Sequence, residues 1–355
     1  MENLEVNQTF WQGRSVFITG HTGFKGGWLA LWLSLLGAKV YGYSLEAPTK
    51  PNFFDTINLK NIIQNSTIGD IRNLNELKNS MKEANPSVIF HMAAQPLVRQ
   101  SYNDPVETFT TNIIGTVNLL EVARKIETVR AIVNITTDKC YENHESDQPY
   151  NETHRLGGYD PYSSSKACSE LATAAYRNSF FSKTEVKIAS VRAGNVIGGG
   201  DWSDDRLIPD ILKAFENSEP VVIRNPLSTR PWQHVLEPIA GYLVLAENLY
   251  IHGDDFAEGW NFGPKDEGCK SVDWILDKMV FNWGASASWE LDKDNNPHEA
   301  GFLKLDCSKA ANRLKWQPKW ELQETLRMIV DWHQKYLKGK DLKEECLKEI
   351  QKYKN

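Results

Sequence analysis

The stretch Gly20-His21-Thr22-Gly23-Phe24-Lys25-Gly26 decides the fold, because its three glycines directly follow an apolar run. The spacing is a weak signal alone, but here it lies between a predicted strand at 14–19 and a predicted helix at 27–37. Glycines let the backbone approach a pyrophosphate closely, and a helix N-terminus offers free N–H donors. The stretch therefore predicts a dinucleotide-binding turn, and the alternative is a tight turn that binds nothing.

Strands and helices alternate through the first half of the chain. Further strands are predicted at 38–44, 67–69, 87–91, 130–135 and 185–191, and further helices at 73–84, 105–125 and 161–181. This alternation predicts a parallel sheet that is covered on both faces. We therefore expect an α/β protein, with a Rossmann-type doubly wound parallel sheet and a smaller C-terminal substrate-binding α/β lobe.

The looser pattern after Gly194 suggests where the second lobe begins. We assign residues 1–192 and about 236–262 to an NAD-binding domain. We assign the remaining residues, about 193–235 and 263–355, to a substrate-binding domain. The charged tail at 322–355 is predicted to be a solvated surface helix.

Composition excludes several classes of protein. A net charge of −6 without an arginine-rich face argues against nucleic-acid binding. No apolar segment is long enough to span a membrane, and the N-terminus lacks the pattern of a signal peptide. The five cysteines are scattered, so we expect reduced thiols, no metal site and a cytoplasmic location.

The end of the second predicted strand bears on which dinucleotide binds. Many dinucleotide folds place an acid there to bind the ribose hydroxyls. This chain has Ser44 at that position and Glu46 two residues later. No arginine stands nearby to hold a 2′-phosphate, so NAD is favoured over NADP.

Tyr162 and Lys166 stand one helical turn apart, on one face of a predicted helix. A lysine ammonium together with a nicotinamide cation would lower the pKa of the phenol and make it a base for a hydroxyl proton. The spacing alone is common on solvated helices, but the glycine turn earlier in the chain favours the catalytic interpretation.

A polar run, Thr136-Thr137-Asp138-Lys139, lies at the predicted carboxyl end of a strand, where ligands bind in open α/β sheets. The threonines can hydrogen-bond a substrate hydroxyl, and Asp138 and Lys139 are a candidate acid and base. An ordinary ion pair at a strand end is an equally good interpretation of this run alone.

Longer stretches carry a family resemblance over residues 10 to about 335. They are HTGFKGGWLALWL (21–33), TTDKCYEN (136–143), YDPYSSSKACSE (159–170), RAGNVIGGGDWSDDRLIPD (192–210), RPWQHVLEP (230–238) and LDCSKA (305–310). Together they resemble the extended short-chain dehydrogenase/reductase family, in its nucleotide-sugar 4,6-dehydratase branch.

The resemblance implies an NAD-dependent lyase that acts on CDP-glucose in deoxysugar biosynthesis for surface polysaccharide, including lipopolysaccharide O-antigen. The sugar is oxidised at C4, loses water across C5 and C6, and receives the hydride back at C6. Tyr162 would take the 4-hydroxyl proton, and Asp138 would protonate the departing 6-hydroxyl. Lys139 stands where the dTDP-glucose branch carries glutamate, so it either removes the C5 proton or stabilises the enolate.

The resemblance also implies the remaining site residues. The catalytic set is Thr137, Asp138, Lys139, Tyr162 and Lys166. The cofactor set is Gly20, Thr22, Gly23, Phe24, Lys25, Gly26, Ser44, Asp70, Ile71, Ala93, Ala94, Gln95, Asn112, Thr136, Tyr162 and Lys166. The substrate set is Gln95, Thr137, Asn195, Arg206, Leu207, Arg224 and Arg230. His298-Glu299 either reads the cytosine or has no function, and His91 is expected to be a core histidine.

Several alternatives stay open. One alternative is a 4-epimerase or reductase of the same fold that acts on a nucleotide sugar. An epimerase needs no acid for a leaving hydroxyl, so Thr137, Asp138 and Lys139 argue against it. A silent NAD-binding scaffold is the alternative from a different class. The predicted helices at 105–125 and 161–181 could pair in a four-helix interface typical of this family, giving a homodimer or a dimer of dimers.

Overall fold

The computed structural model describes residues 6–144, 148–284, 287–292 and 303–355. His298-Glu299 therefore lies outside the described residues. The strands are β1 Ser15–Thr19, β2 Lys39–Ser44, β3 Asn65–Ile68, β4 Val88–His91, β5 Ala131–Ile135, β6 Lys187–Ala193, β7 Asn195–Ile197, β8 Val221–Ile223, β9 Thr229–His234, β10 Gly259–Phe262, β11 Cys269–Ser271 and β12 Trp289–Leu291.

The helices connect and cover these strands. They are α1 Gln8–Trp11, α2 Phe24–Leu35, α3 Phe53–Thr56, α4 Leu74–Ala84, α5 Val98–Asn103, α6 Pro105–Phe109, α7 Gly115–Ala123, α8 Pro161–Tyr176, α9 Leu207–Glu216, α10 Leu236–His252, α11 Val272–Trp283, α12 Ser308–Arg313, α13 Leu322–Leu337 and α14 Leu342–Lys354. Turns of 3-10 helix lie at Leu59–Asn61, Asp138–Cys140, Gly253–Phe256 and Asp266–Gly268, and π-helical turns at Thr110–Ile114 and Arg177–Phe181.

The main sheet has seven strands in the order β10-β6-β5-β4-β1-β2-β3, and every neighbouring pair is parallel. Val16, in the central strand, pairs with Val40 on one side and Val88 on the other, and all three are fully buried. Continuous apolar strands are expected where helices cover both faces of a sheet. The doubly wound parallel sheet predicted from the sequence is confirmed.

Two apolar layers cover the sheet. One contains side chains of α2 and α10, including Trp28, Trp32 and Leu243, and the other contains side chains of α4 and α7, including Leu77 and Leu119. The strand order reverses between β1 and β4, and in such sheets ligands bind outside the carboxyl ends of the strands at this point.

A smaller lobe is built from two short sheets, β11-β9-β7 and β12-β8, with α9, α11 and α13. It has its own apolar cluster, in which Ile211, Leu276 and Ile329 are fully buried. In the chain, α10 and β10 come between β9 and β11, which belong to this lobe. β10 is nevertheless a strand of the main sheet, and α10 packs against that sheet. The proposed division into two domains stays a prediction.

The C-terminal tail is not the solvated surface helix that the sequence predicted. It forms α13 and α14, and Ile329, Trp332 and Ile350 are buried. Burying one isoleucine side chain stabilises a fold by roughly 1.5–3 kcal/mol. Tyr353 also donates a hydrogen bond of 2.6 Å to the buried Glu237 of α10. The charges of the tail lie on one face of each helix, so composition alone does not reveal the apolar face.

Candidate active site

A cleft of about 1150 Å³ opens at the carboxyl ends of the main strands. Segments that follow β1, β2, β4, β5 and β6 line its floor, and the smaller lobe lines its other side. Every residue of the predicted site lines this cleft except Gln95 and Asn112. The fold therefore brings together residues that are far apart in the chain.

The glycine turn leaves no room for side chains at two positions. Gly20 has a φ of +79°, and a Cβ there would lie 2.8 Å from the backbone nitrogen of Ala93. A Cβ on Gly26 would lie 2.1 Å from the carbonyl oxygen of Gly20. α2 begins directly after Gly23, whose position provides no side-chain cap, so the first amides of the helix have no capping side chain. This cradle fits the pyrophosphate of a dinucleotide.

The end of β2 carries hydroxyls where an acid is common. Thr22 and Ser44 are 2.8 Å apart between their Oγ atoms, and both are buried. After β3, Asp70 is paired with Arg72, which lowers the pKa of that carboxyl. Tyr43 donates to the backbone oxygen of Asp70 over 2.9 Å, which fixes this loop beside the end of β2. The sequence did not indicate the Asp70–Arg72 pair.

Tyr162 and Lys166 lie in the first turns of α8, which Asp160 caps by accepting a 2.9 Å hydrogen bond from the Ser163 amide. Burial raises the pKa of Tyr162 to about 12, although the Thr137 hydroxyl acts to lower it. Lys166 Nζ donates to the carbonyl oxygen of Ile135 over 3.0 Å. The lowering of the Tyr162 pKa by Lys166 together with a nicotinamide cation stays a prediction.

Asp138 is almost fully buried in the wall of the cleft. Its Oδ1 accepts a 3.1 Å hydrogen bond from Thr137 Oγ1, and its Oδ2 has no hydrogen-bond partner among the described residues. Burial raises the pKa of Asp138, although Lys139, Thr137 and Arg230 act in the opposite direction. A raised pKa favours the protonated form of a carboxyl, which is the form that can donate a proton.

Lys139 also lines the cleft and is half-buried. It belongs to the 3-10 turn that begins at Asp138, and its backbone N–H donates to Thr137 Oγ1 over 3.4 Å. Its role as a base or as a stabiliser of the enolate stays a prediction.

Cations gather on the substrate side of the cleft. Arg206 precedes Leu207 at the start of α9 and pairs with Asp201 over 3.0 Å. Arg224 follows β8, and its Nη1 is buried without a hydrogen-bond partner in the described ranges. Arg230 in β9 and Asn195 in β7 complete this wall. Arginines at a cleft suit a diphosphate, which they can bind bidentately.

Lys25 extends the same positive region to the glycine turn. Burial, with help from Arg206 and Lys166, lowers the pKa of Lys25 to about 7, and Asp138 and Asp201 oppose this. Neighbouring cations that lower one another's pKa in this way are stabilised in their charged forms by a bound anion.

Gln95 and Asn112 stand behind the wall of the cleft, so the geometry does not favour the direct ligand contacts predicted for them. Asn112 is buried in the π-helical turn; its Oδ1 accepts from the Gln95 amide over 2.8 Å and its Nδ2 donates to Ser165 Oγ over 2.8 Å. The Gln95 side chain donates to Thr108 Oγ1 over 2.9 Å. Both residues support the loop after β4 and its contact with α8.

His91 is the core histidine that the sequence predicted. Its ring bonds to Thr19 over 2.7 Å and to Thr116 over 3.1 Å, and burial lowers its pKa to about 3. Sequence reasoning missed a second buried group, Glu170 with Arg192, although the spacing of Glu170 from Lys166 places both on one helix face.

The described ranges contain no cluster of three metal-ligating side chains, and no helix within them has the length and apolar character needed to cross a membrane.

Comparisons with known proteins find relatives that match most of the chain. Residues 17–329 match the family model described as GDP-mannose 4,6 dehydratase. The chain is 56% identical to CDP-glucose 4,6-dehydratase of Salmonella typhimurium, over 98% of both chains. It is 26% identical to dTDP-glucose 4,6-dehydratase of Haemophilus influenzae, over 74% of this chain and 81% of the relative.

Solved structures share the fold. The UDP-glucose 4-epimerase of Thermus thermophilus, solved as a complex with NAD, superposes with a TM-score of 0.77 at 22% identity, over 90% of this chain and 98% of that chain. MoeE5 in complex with UDP-glucose and NAD superposes with a TM-score of 0.75 at 22% identity, over 91% of this chain and 99% of that chain.

Proposed function

The chain belongs to the GDP-mannose 4,6 dehydratase family, and on that basis we propose that it converts CDP-D-glucose to CDP-4-dehydro-6-deoxy-D-glucose. The observation that carries the proposal is a single cleft that contains a tyrosine–lysine pair and a buried carboxyl with a raised pKa. The 56% identity to the Salmonella CDP-glucose enzyme supports the choice of nucleotide.

NAD fits the glycine cradle, and when bound it would supply the hydride acceptor for C4 of the sugar and, once reduced, the hydride donor for C6. Gly20, Gly23 and Gly26 would admit its pyrophosphate, and Thr22 and Ser44 would face its adenosine ribose. Asp70, Ile71, Ala93 and Ala94 line the same half of the cleft.

Tyr162 is the base of the oxidation, and it accepts the 4-hydroxyl proton as C4 becomes a ketone. The Thr137 hydroxyl acts to lower the pKa of this phenol and so favours its ionised form. Lys166 supplies a buried positive charge one turn along α8 that stabilises the phenolate once it forms.

Asp138 is the acid of the elimination. The C4 ketone acidifies the C5 proton, so loss of the 6-hydroxyl as water becomes feasible once an acid protonates that hydroxyl. We assign this donation to Oδ2, which has no hydrogen-bond partner among the residues that the structure describes. Lys139, next along the turn, removes the C5 proton or stabilises the enolate that results.

The arginines bind the diphosphate of the substrate. Arg206, Arg224 and Arg230 line one wall of the cleft, together with Asn195 and Leu207. These residues do not distinguish one nucleoside base from another. The choice of cytosine rests on the 56% identity to the Salmonella enzyme.

We further propose a homodimer. Three apolar side chains on neighbouring helices are exposed: Val106 by 71% on α6, Ile114 by 49% in the π-helical turn and Leu171 by 58% on α8. Such side chains on paired helices favour a helical interface with a second copy. A cytoplasmic location and a role in making deoxysugars for surface polysaccharide such as O-antigen are also proposed, and the five cysteines suit a reducing compartment.

The experiment is to incubate the NAD-loaded protein separately with CDP-, dTDP-, UDP- and GDP-glucose and to identify the products by mass spectrometry and NMR. We expect a 4-keto-6-deoxy product from CDP-glucose above all, without net formation of NADH. A 4-epimer, or consumption of reduced cofactor in proportion to product, would instead identify an epimerase or a reductase of the same fold.

A further inference from the structure

A buried ion pair lies one helical turn beyond Lys166. Arg192 on β6 donates from Nε and Nη2 to the two carboxylate oxygens of Glu170 on α8, each over 2.9 Å. Ser190 Oγ donates to Oε2 and Thr136 Oγ1 donates to Oε1, each over 2.6 Å. Burial opposes ionisation, but Arg192 and the hydroxyls lower the pKa of Glu170. The carboxylate is therefore charged and fully hydrogen-bonded.

This carboxylate connects the two elements that carry the catalytic residues. Thr136 directly precedes Thr137 and Asp138 at the end of β5, whereas Glu170 shares a face of α8 with Tyr162 and Lys166. The 2.6 Å bond from Thr136 to Glu170 is a direct side-chain link between strand end and helix.

Arg192 holds the other end of the same segment. Its Nη1 donates to the phenol oxygen of Tyr141 over 2.7 Å, and that phenol donates to Asn261 Oδ1 over 2.7 Å. Tyr141 directly follows the 3-10 turn that contains Asp138 and Lys139. Glu170 and Arg192 together therefore fix both ends of the segment 136–141.

We propose that Glu170 and Arg192 are positioning residues for the dehydration, clamping the segment that carries Asp138 and Lys139 against the helix that carries Tyr162 and Lys166. The proposal rests on the proposed function and assigns it two residues that touch neither sugar nor cofactor. A clamp of this kind matters because the base acts on C4 and the acid on C6 of one sugar, and small misplacement of catalytic groups is costly.

Glu170 also supplies charge to the site. Lys166 is surrounded by Glu170 on its own helix, Cys140 after β5, His91 in β4 and Lys25 in α2. Burial lowers the pKa of Lys166 to about 8, and Glu170 opposes this. Cys140 and His91 are neutral near pH 7, because burial raises the pKa of the thiol and lowers that of the imidazole. Glu170 is therefore the anion among them that keeps Lys166 protonated.

The test is Glu170→Gln in the NAD-loaded enzyme, with Ser190→Ala as the matched control. Both changes remove a partner in the same carboxylate cluster, but Ser190 contacts the oxygen that does not bind Thr136. We expect Glu170→Gln to lower kcat on the order of 10–100-fold while KM changes little. The alkaline fall of its activity should move to lower pH, and Ser190→Ala should behave as wild type.

A second readout does not depend on turnover. The titration of Lys166 can be followed by NMR of ¹³C-lysine-labelled protein, with Lys166→Arg to assign the signal, and its midpoint should fall in Glu170→Gln. If wild type did not dehydrate CDP-glucose while this midpoint still fell, the proposed function would fail and the electrostatic part of the clamp would stand. Should Glu170→Gln not fold, Glu170→Gln/Arg192→Gln leaves no unpaired charge and takes its place.

A folded Glu170→Gln enzyme with wild-type kcat and an unmoved Lys166 titration would overturn the proposal. An equal loss of activity in Ser190→Ala would overturn it as well, since that result would indicate general destabilisation of the core.

Discussion

Thr137 Oγ1 donates a hydrogen bond to Asp138 Oδ1 over 3.1 Å, while the second oxygen of that carboxyl has no hydrogen-bond partner in the part of the chain that the structure describes. The Thr137 hydroxyl also acts to lower the pKa of Tyr162. One hydroxyl thus affects both the proposed base and the proposed acid. This relationship allows the two proton transfers to be separated by experiment.

Asp138→Asn should separate oxidation from elimination. Asparagine keeps the size of the side chain but cannot donate a proton as an acid. We expect the 4-keto-glucose intermediate to accumulate in a single turnover while overall turnover falls roughly 10²–10³-fold. Borohydride would trap the ketone, and rapid-mixing absorbance would follow the enzyme-bound NADH that forms with it. Dehydration at the normal rate would remove Asp138 from the acid role and make Lys139 the next candidate.

Tyr162→Phe should stop the reaction before either product or ketone forms. The change removes the proposed acceptor of the 4-hydroxyl proton, which as a general base is worth roughly 10²–10⁴ in rate. Steady-state turnover of CDP-glucose gives the answer, and binding of CDP-glucose should persist as the control. Activity near that of wild type would mean that another group accepts the proton.

The ionisation of Tyr162 should depend on the cofactor. Its pKa is raised to about 12 by burial, so near neutral pH the phenol keeps its proton in the protein alone. A nicotinamide cation beside it should lower this pKa, so phenolate should appear at lower pH in NAD-loaded protein. Ultraviolet titration of wild type with and without NAD, after subtraction of Tyr162→Phe, isolates this residue. Identical curves would contradict the assignment.

The glycine turn should respond differently at two positions. A Cβ on Gly26 would lie 2.1 Å from the Gly20 carbonyl oxygen, whereas one on Gly23 would meet its nearest atom at 3.4 Å. Gly26→Ala should therefore lower the melting temperature, and Gly23→Ala should leave it nearly unchanged while weakening NAD binding. Calorimetry and NAD titration compare the two. Unchanged NAD affinity in Gly23→Ala would argue against close approach of the pyrophosphate there.

The sequence predicted the main sheet because parallel buried strands are short apolar runs separated by glycines and by amphipathic helices. The sequence pattern placed the start of α2 too late, at residue 27, whereas the helix begins at Phe24. Phe24 and Lys25 are helical although they belong to the glycine-containing binding motif. The predicted helix at 105–125 is interrupted by a π-helical turn that contains Asn112, and local periodicity carries no signal for such a turn.

The site was predictable where chemistry and spacing coincide, as for Tyr162 and Lys166. The Glu170–Arg192 pair was not, because β6 and α8 meet only in the folded protein. The raised pKa of Tyr162 was missed for the same reason, since burial depends on neighbours from distant parts of the chain.

The central claim is that oxidation at C4 and reduction at C6 occur within one sugar, and CDP-glucose carrying deuterium at C4 tests it most directly. The product should be CDP-4-dehydro-6-deoxyglucose with deuterium in the C6 methyl group, measured by NMR and mass spectrometry. It should form over many turnovers without added cofactor beyond that bound. Deuterium released to added NAD or to solvent, or retained at C4 of an epimer, would contradict the account.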